Sequence, residues 1–401
     1  MADKKNIFPE EIELSEIVLN KTNHAFEIIK KEDSGYMKAS TDKRKKFFIK
    51  QAAAVAGVCI LAVSSISAVA AIHHYWSRGM SGSLQASDKE QQELMENGIA
   101  KVYREDTDYQ SLAVTNNGVT VVPDTIITDG RFARMSFRVS GYSLADREEP
   151  GFDRVNVYQG DDSEDLGSRF DIYGGGMYNG VIPDENMNSM YEDGSPLEFY
   201  EDGGYIHHYT DSNGDMEYIM NIGIVDQSDS LLGKTIRVEL KDFGITSYSI
   251  VFEEQEEYHI PEFITKVEGN WNFEIVLPDV SSTRDIEVGQ EIEGTCFVIE
   301  SVSISPISMK IDYSVIESPE VKEDDLEIPT VLGVVLKDGT RIPNLLSGGG
   351  GAGYTDLART AAYQYNSYYR VIDVDEVASL IVLPYHKDET TDPRIEIPIS
   401  Q

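Results

Sequence analysis

The sequence predicts a mainly β chain in which a single transmembrane helix is followed by two β-sandwich extracytoplasmic domains. Three observations point there. Ala52 to Ile72 is a stretch of 21 residues without a charge, directly behind a basic block. Beyond about residue 118 the apolar residues fall into short alternating runs bounded by Gly, Pro, Asp or Asn, the pattern of half-buried strands. The charge is also uneven. Of 34 basic and 70 acidic residues, net −36, the first 50 positions hold 11 basic and 9 acidic, so the negative charge lies almost wholly after them.

The first element is a helix from about Glu16 to Lys31, with Ser15 as its N-cap candidate. Val18, Thr22, Ala25 and Ile29 share one face, and Leu19 and Phe26 widen it. A lone amphipathic helix has no domain to pack on. Its apolar face needs a partner or the membrane, and Val18, Leu19, Ala25, Phe26 and Ile29 are the candidate partner contacts. KEDSGYMKASTDKRKK then reads as a linker.

The uncharged stretch follows. As a helix it measures about 31 Å, which matches a ~30 Å hydrocarbon core. Eight Ala and three Ser make it only moderately apolar. Lys43, Arg44, Lys45, Lys46 and Lys50 crowd its N-terminal flank, whereas Arg78 is the one cation close behind it. The excess of Lys and Arg places residues 1–46 in the cytosol, a transmembrane helix over 47–76, and the remainder outside the cell membrane. Tyr75 and Trp76 are expected at headgroup level on the far side. Two other readings compete with a permanent anchor. Ala68-Val69-Ala70 has the small-x-small form of a signal cleavage site, and KKFFIK has the cadence of a twin-arginine signal with lysines in place of the pair. The 46 residues ahead of the span favour the anchor.

Outside, SDKEQQELMENG is a short helix, with Ser87 and Glu90 spaced as a capping box and Gly98 as its stop. Strand candidates are GVTVV, ARMSFRVS, RVNVY, TIRVELKDF, WNFEIVLP, MKIDYSVI, TVLGVVLKDG, YYRVIDV, SLIVLP and RIEIPI. Frequent turns between short strands indicate sandwiches rather than a parallel sheet. A break at Pro278–Asp285 divides a first β-rich domain, 77–278, from a second, 286–401. The Gly-, Asp- and Tyr-rich stretch from Gly160 to Gly204 reads as an inserted loop region. Cys59 and Cys296 lie in different compartments, so no disulfide forms within the exterior part, which must rely on its core.

Chemistry is harder to find. Asp211, Asn213 and Asp215 imitate the start of a calcium loop, but Met216 and Ile222 stand where that loop needs glycine and a bidentate glutamate. Asn213-Gly214 between GYIHHYT and MEYIMNIGI is instead a hairpin signal. SGGGGAGY, Ser347 to Tyr354, lacks the Lys-Ser or Lys-Thr of a phosphate cradle and reads as a mobile loop over the second domain. His207 and His208 are adjacent, so in an extended chain they point apart and do not share an ion. No zinc, serine-nucleophile or Cys-x-x-Cys signature is present in the exterior part. The expectation is a non-enzyme with no catalytic, cofactor or metal residues. An exterior this acidic also opposes direct binding of nucleic acid.

The order of helix, weak span, SDKEQQELMENG and NNGVTVVPDTIITDGRFARMSFRV resembles a family of Gram-positive membrane proteins known mainly by a domain of unknown function and often described as anti-sigma-factor-like. FVIESVSISPISMKIDY and KDGTRIP resemble the immunoglobulin-like C-terminal domain commonly attached to it, and FPEEIELSEIVLNKTNHAFEIIKK resembles its N-terminal segment. The resemblance implies immunoglobulin-like sandwiches, a cytosolic N-terminus that engages an extracytoplasmic-function sigma factor, and an exterior part that senses an envelope ligand or protein. The His-x-x-x-Cys-x-x-Cys signature of zinc-containing anti-sigma factors is missing, so that mechanism does not carry over. The alternative is a binding module anchored at the cell surface with no cytosolic role.

Overall fold

The computed structural model describes residues 76–106, 108–159, 170–201, 203–224, 229–253, 256–316, 327–384 and 394–399, all in one compact unit. The expected span, the basic cluster from Lys43 to Lys50 and the helix carrying Val18, Leu19, Ala25, Phe26 and Ile29 lie outside the described residues. Among the described residues no helix is long and apolar enough to cross a membrane.

Two short helices come first, α1 (Arg78–Leu84) and α2 (Asp88–Glu96). In α2 the capping box forms as its spacing predicts: Ser87 Oγ accepts from the Glu90 amide at 3.3 Å, and Glu90 Oε2 accepts from the Ser87 amide at 2.8 Å. The poor helix formers of RGMSGSL give no such signal for α1. Its glycines serve close packing, since a Cβ at position 82 would lie 1.9 Å from the Tyr178 hydroxyl.

The rest is mainly β. Among the described residues eleven strands make the first part: β1 (Ala100–Val102), β2 (Val114–Asn116), β3 (Val119–Thr128), β4 (Phe132–Ser140), β5 (Glu149–Gln159), β6 (Phe170–Met177), β7 (Val181–Pro183), β8 (Ser189–Tyr191), β9 (Met216–Ile224), β10 (Thr235–Glu253) and β11 (Glu256–Val276). One sheet runs β1-β3-β4-β9-β6, with β2 beside β3, and another runs β11-β10-β5. Side chains from both build one core around Phe137, Met220, Val238, Phe243 and the fully buried Trp271, whose indole N–H donates to the Val119 carbonyl at 3.1 Å. Residues 277–283 lead without helix or strand to nine further strands. These are β12 (Arg284–Glu291), β13 (Phe297–Ile304), β14 (Ser308–Val315), β15 (Thr330–Leu336), β16 (Arg341–Ile342), β17 (Leu346–Tyr354), β18 (Ala361–Tyr368), β19 (Val377–Leu383) and β20 (Ile395–Pro398). They form sheets β12-β13-β14-β18-β17 and β16-β15-β19-β20 around a second core, which includes the buried Cys296.

Four local expectations need correction. Trp76 is not a wet interfacial aromatic. It is fully buried with Met80, Leu84, Ile99, Ile307 and Val371, in a third apolar cluster that joins the helices to the C-terminal strands. The glycine run at 347–353 is strand β17, not a mobile loop. Its lack of side chains lets it lie against the first part, where a Cβ at Gly349 would meet Asn221 Nδ2 at 2.7 Å and Tyr173 Cβ at 3.0 Å. YYRVIDV is strand only at Tyr368. Val371 and Ile372 are apolar because they pack beneath α1 and the second core, with the Val371 amide donating to the Leu84 carbonyl at 2.8 Å. Finally, the stretch read as an inserted loop contributes β6, an edge strand of the first sheet.

Candidate functional site: an aromatic cleft coupled to the N-terminal helix

A cleft of about 1310 Å³ opens at one end of the first part. Its walls are the 141–149 segment after β4, the 204–215 segment before β9, and Ile245–Tyr248 of β10. Each wall is held by its own local bonds. Glu148 fastens the first, accepting from the Ala145 amide at 2.9 Å and the Tyr142 hydroxyl at 3.2 Å while pairing with Lys266 at 3.1 Å. The Ala145 bond comes first among the causes that hold its carboxyl below the ordinary pKa of a glutamate. Asp211 closes the second wall, its Oδ1 accepting from the Asn213 and Asp215 amides at 2.8 and 3.0 Å. Those bonds make the Asn213-Gly214 turn, and they occupy the carboxylate that the calcium-loop comparison would have made a ligand. The hairpin is shorter than expected: upstream of the turn only single bridges, Thr210–Met216 and Phe199–Tyr205, replace the anticipated strand.

Aromatic rings dominate the lining. His207 stands edge-on between Tyr205, at 4.5 Å and 83°, and Tyr209, at 5.1 Å and 73°, with its Nδ1 3.0 Å from the Tyr209 hydroxyl. Its Nε2 is buried without a hydrogen-bond partner. Burial pushes the imidazole below its ordinary value, while the Glu149 charge pulls the other way. The Tyr209 phenol is raised by burial and then by Glu149, and Tyr248 is raised first by the Glu149 charge. Glu149 therefore acts on three rings, His207, Tyr209 and Tyr248; at the rim Tyr205 and Tyr248 are 43% and 52% exposed. His208 turns away and stacks on Tyr191 at 4.3 Å, so the two histidines do diverge. Among the described residues no cluster of three metal-ligating side chains occurs.

The same wall reaches the N-terminal helix. Asp215 lines the cleft, 3.8 Å from Arg138, and burial raises its pKa above the ordinary value. Two residues on, Glu217 points to the outer face of β9. There it accepts from the Gly79 amide at 2.6 Å, the Met80 amide at 3.2 Å and the Ser77 hydroxyl, and so caps α1 from across the sheet. Burial pushes this carboxyl up to about 7, against the pull of the Ser77 and Gly79 donors. Further along that face Asn221 Nδ2 donates to Ser367 Oγ at 2.9 Å, while Met216, Tyr218, Met220 and Ile222 point into the first core. Of the motifs singled out in the sequence, the structure brings together His207, Asp215 and the Asn213-Gly214 turn. Sequence reasoning missed Glu149, Glu217, Tyr205 and Tyr248, whose only signal was the density of Tyr and acidic residues.

No protein-family model matches the sequence, and no curated protein matches it. Among solved structures the chain is similar to the crystal structure of the conserved domain protein from Bacillus anthracis, at 15% identity and a TM-score of 0.37, over 69% of this chain and 78% of that one.

Proposed function

We propose that the chain is a single-pass membrane regulator of the anti-sigma type. Residues 1–46 would sequester a sigma factor through Val18, Leu19, Ala25, Phe26 and Ile29, and the β-rich part outside would be the receptor. In this reading the two sheet pairs are immunoglobulin-like sandwiches, 77–278 and 286–401. One observation carries it: the strand end Asp215–Glu217 belongs both to the cleft and to the cap of α1. Only three residues separate Ile72, the last of the uncharged stretch, from the buried Trp76. A tether that merely displays a module gains from slack at this point. Here the sequence allows almost none, and a ligand that shifts the 204–215 wall acts on the residue that holds α1. Contiguous packed elements of this kind are the physical route for such coupling.

The test is capture of the full-length chain from detergent-solubilised membranes, with retained proteins identified by mass spectrometry. A sigma factor is expected with the wild type and not with Phe26→Asp at equal membrane level. Retention of no sigma factor by the wild type would overturn the reading and leave a surface-anchored binding module.

A further inference from the structure

We infer that the cleft takes the cationic side chain of a basic peptide, with the peptide backbone laid along the open edge of β10. The inference rests on the receptor reading above and names the class of ligand that the receptor takes.

Three observations converge. The first is the shape of the aromatic surface. Tyr205, His207 and Tyr209 meet at 83° and 73°, which makes a corner of ring faces and edges rather than the flat platform that a sugar ring stacks upon. A corner of rings with a carboxylate beside it suits a compact cation, attracted by the ring quadrupoles and by the charge together. The second is charge. Asp146, Glu148, Glu149 and Asp215 line the cleft, Glu148 paired with Lys266 and Asp215 3.8 Å from Arg138, and among the described lining residues Arg147 is the one Lys or Arg, lying over the Tyr200 ring at 4.1 Å. Among the described residues no Lys or Arg pairs with Glu149, whose charge instead falls on Tyr248, Tyr209 and His207.

The third is the sheet edge. β5 stops pairing with β10 at Glu149 opposite Thr246, because the chain turns away at Glu148. From Ser247 to Glu253 the one strand beside β10 among the described residues is β11. The other edge presents backbone donors and acceptors, and its first two residues, Ser247 and Tyr248, line the cleft. An extended peptide added there would continue the line of β5 and carry alternate side chains past Glu149. The cleft volume also exceeds what a small-molecule site usually encloses, roughly 300–1,000 Å³.

The full chain in phosphatidylcholine nanodiscs, a membrane without net charge, is titrated with fluorescein-labelled hexalysine, followed by anisotropy at low salt. Nε-acetylated hexalysine and chitohexaose serve as competitors. Hexalysine is expected to bind, and Glu149→Gln and Tyr248→Ala are each expected to weaken it about tenfold. Glu291→Gln, an equal loss of charge on exposed β12, should leave binding within about twofold. Neither competitor should displace the probe. Equal weakening by Glu149→Gln and Glu291→Gln would mean that the acidic surface binds without a site, and would overturn the inference. Displacement by chitohexaose would assign the cleft to carbohydrate, and absence of hexalysine binding would remove the cationic ligand. None of these results touches the sigma-factor capture, which uses no exterior ligand, so the two readings fail separately.

Discussion

Asp129 and Glu149 are carboxylates of the same part of the molecule, twenty positions apart, and their surroundings differ completely. Asp129 is 4% exposed and closes the turn after β3. Its Oδ1 accepts from the Arg131 and Phe132 amides, each at 2.9 Å, and its Oδ2 accepts from the Ser305 and Ser308 hydroxyls of the C-terminal strands. Glu149 is half-buried among phenols and an imidazole, with the Tyr248 hydroxyl as its donor, where Asp129 has four donors aimed at its oxygens. In a chain with 70 acidic residues, composition cannot say which carboxylate builds and which binds. A carboxylate surrounded by protein donors has its hydrogen-bonding capacity filled by the fold. One set among ring faces at the mouth of a cleft keeps capacity for a ligand.

The largest effect expected from this contrast is at Asp129. Asp129→Ala removes the acceptor for four donors, three of them buried, and orphaned buried polar groups cost about 1–3 kcal/mol each before relaxation. A loss of roughly 4 kcal/mol is expected in urea unfolding of the full chain in detergent, followed by circular dichroism. A loss below about 1 kcal/mol would show that the serines find water or other partners, and that Asp129 does not bind the two parts together.

Glu217 sharpens the contrast, since among the described residues no ion pair holds it and Asp124 is its charged neighbour. Its folded value of about 7 lies above the ordinary glutamate value of 4.5. Between those two pH values the unfolded chain has released this proton and the folded chain still holds it. Stability therefore falls as pH rises through that window and levels off above it, by roughly 3 kcal/mol in all. Unfolding measured from pH 4.5 to 8 should show this decline relative to Glu217→Gln, which cannot titrate. Parallel curves for the two would mean that the Ser77, Gly79 and Met80 donors keep the carboxylate ionised throughout.

A smaller effect tests the seat of α1. Gly82→Ala puts a Cβ into the Tyr178 hydroxyl, and overpacking of this kind costs about 1–3 kcal/mol. Thermal unfolding reads it directly. An unchanged midpoint would mean that Tyr178 swings aside freely and that α1 is not pinned to the sheet.

These residues also mark where the sequence was legible. The period of two identified most strands, and the capping box of Ser87 and Glu90 located α2 to the residue, because both signals are local. What failed was tertiary in cause. The RGMSGSL segment has poor helix propensity and becomes α1 because Glu217, 138 positions away from Gly79, accepts its first amides. The glycines of β17 carry no strand propensity and pair with β18 because the sheet behind them leaves no room for side chains. Val371 and Ile372 mimic a strand pattern although they serve two different cores. The cleft was the least legible. Its rings come from segments with little regular pairing, and the turn chemistry of Asp211 and Asn213-Gly214 was the one part of it that local rules could reach.

The smallest expected effect is the one that most directly opposes Glu149 to Asp129. Tyr248 is about half exposed at the rim, so Tyr248→Ala removes surface that water already touches, and Glu149→Gln removes a charge that holds no cation. Exposed sites of this kind change stability by no more than about 0.5 kcal/mol. Both variants should therefore unfold in urea within that margin of the wild type. Glu149→Gln in particular should not lose stability, since the amide oxygen can still accept from the Tyr248 hydroxyl. A loss comparable to that of Asp129→Ala would mean that the rings around Glu149 are packed as core. The cleft would then be a fault in the packing of the sheets, with no capacity held open for a ligand, and the difference between the two carboxylates would be one of exposure alone.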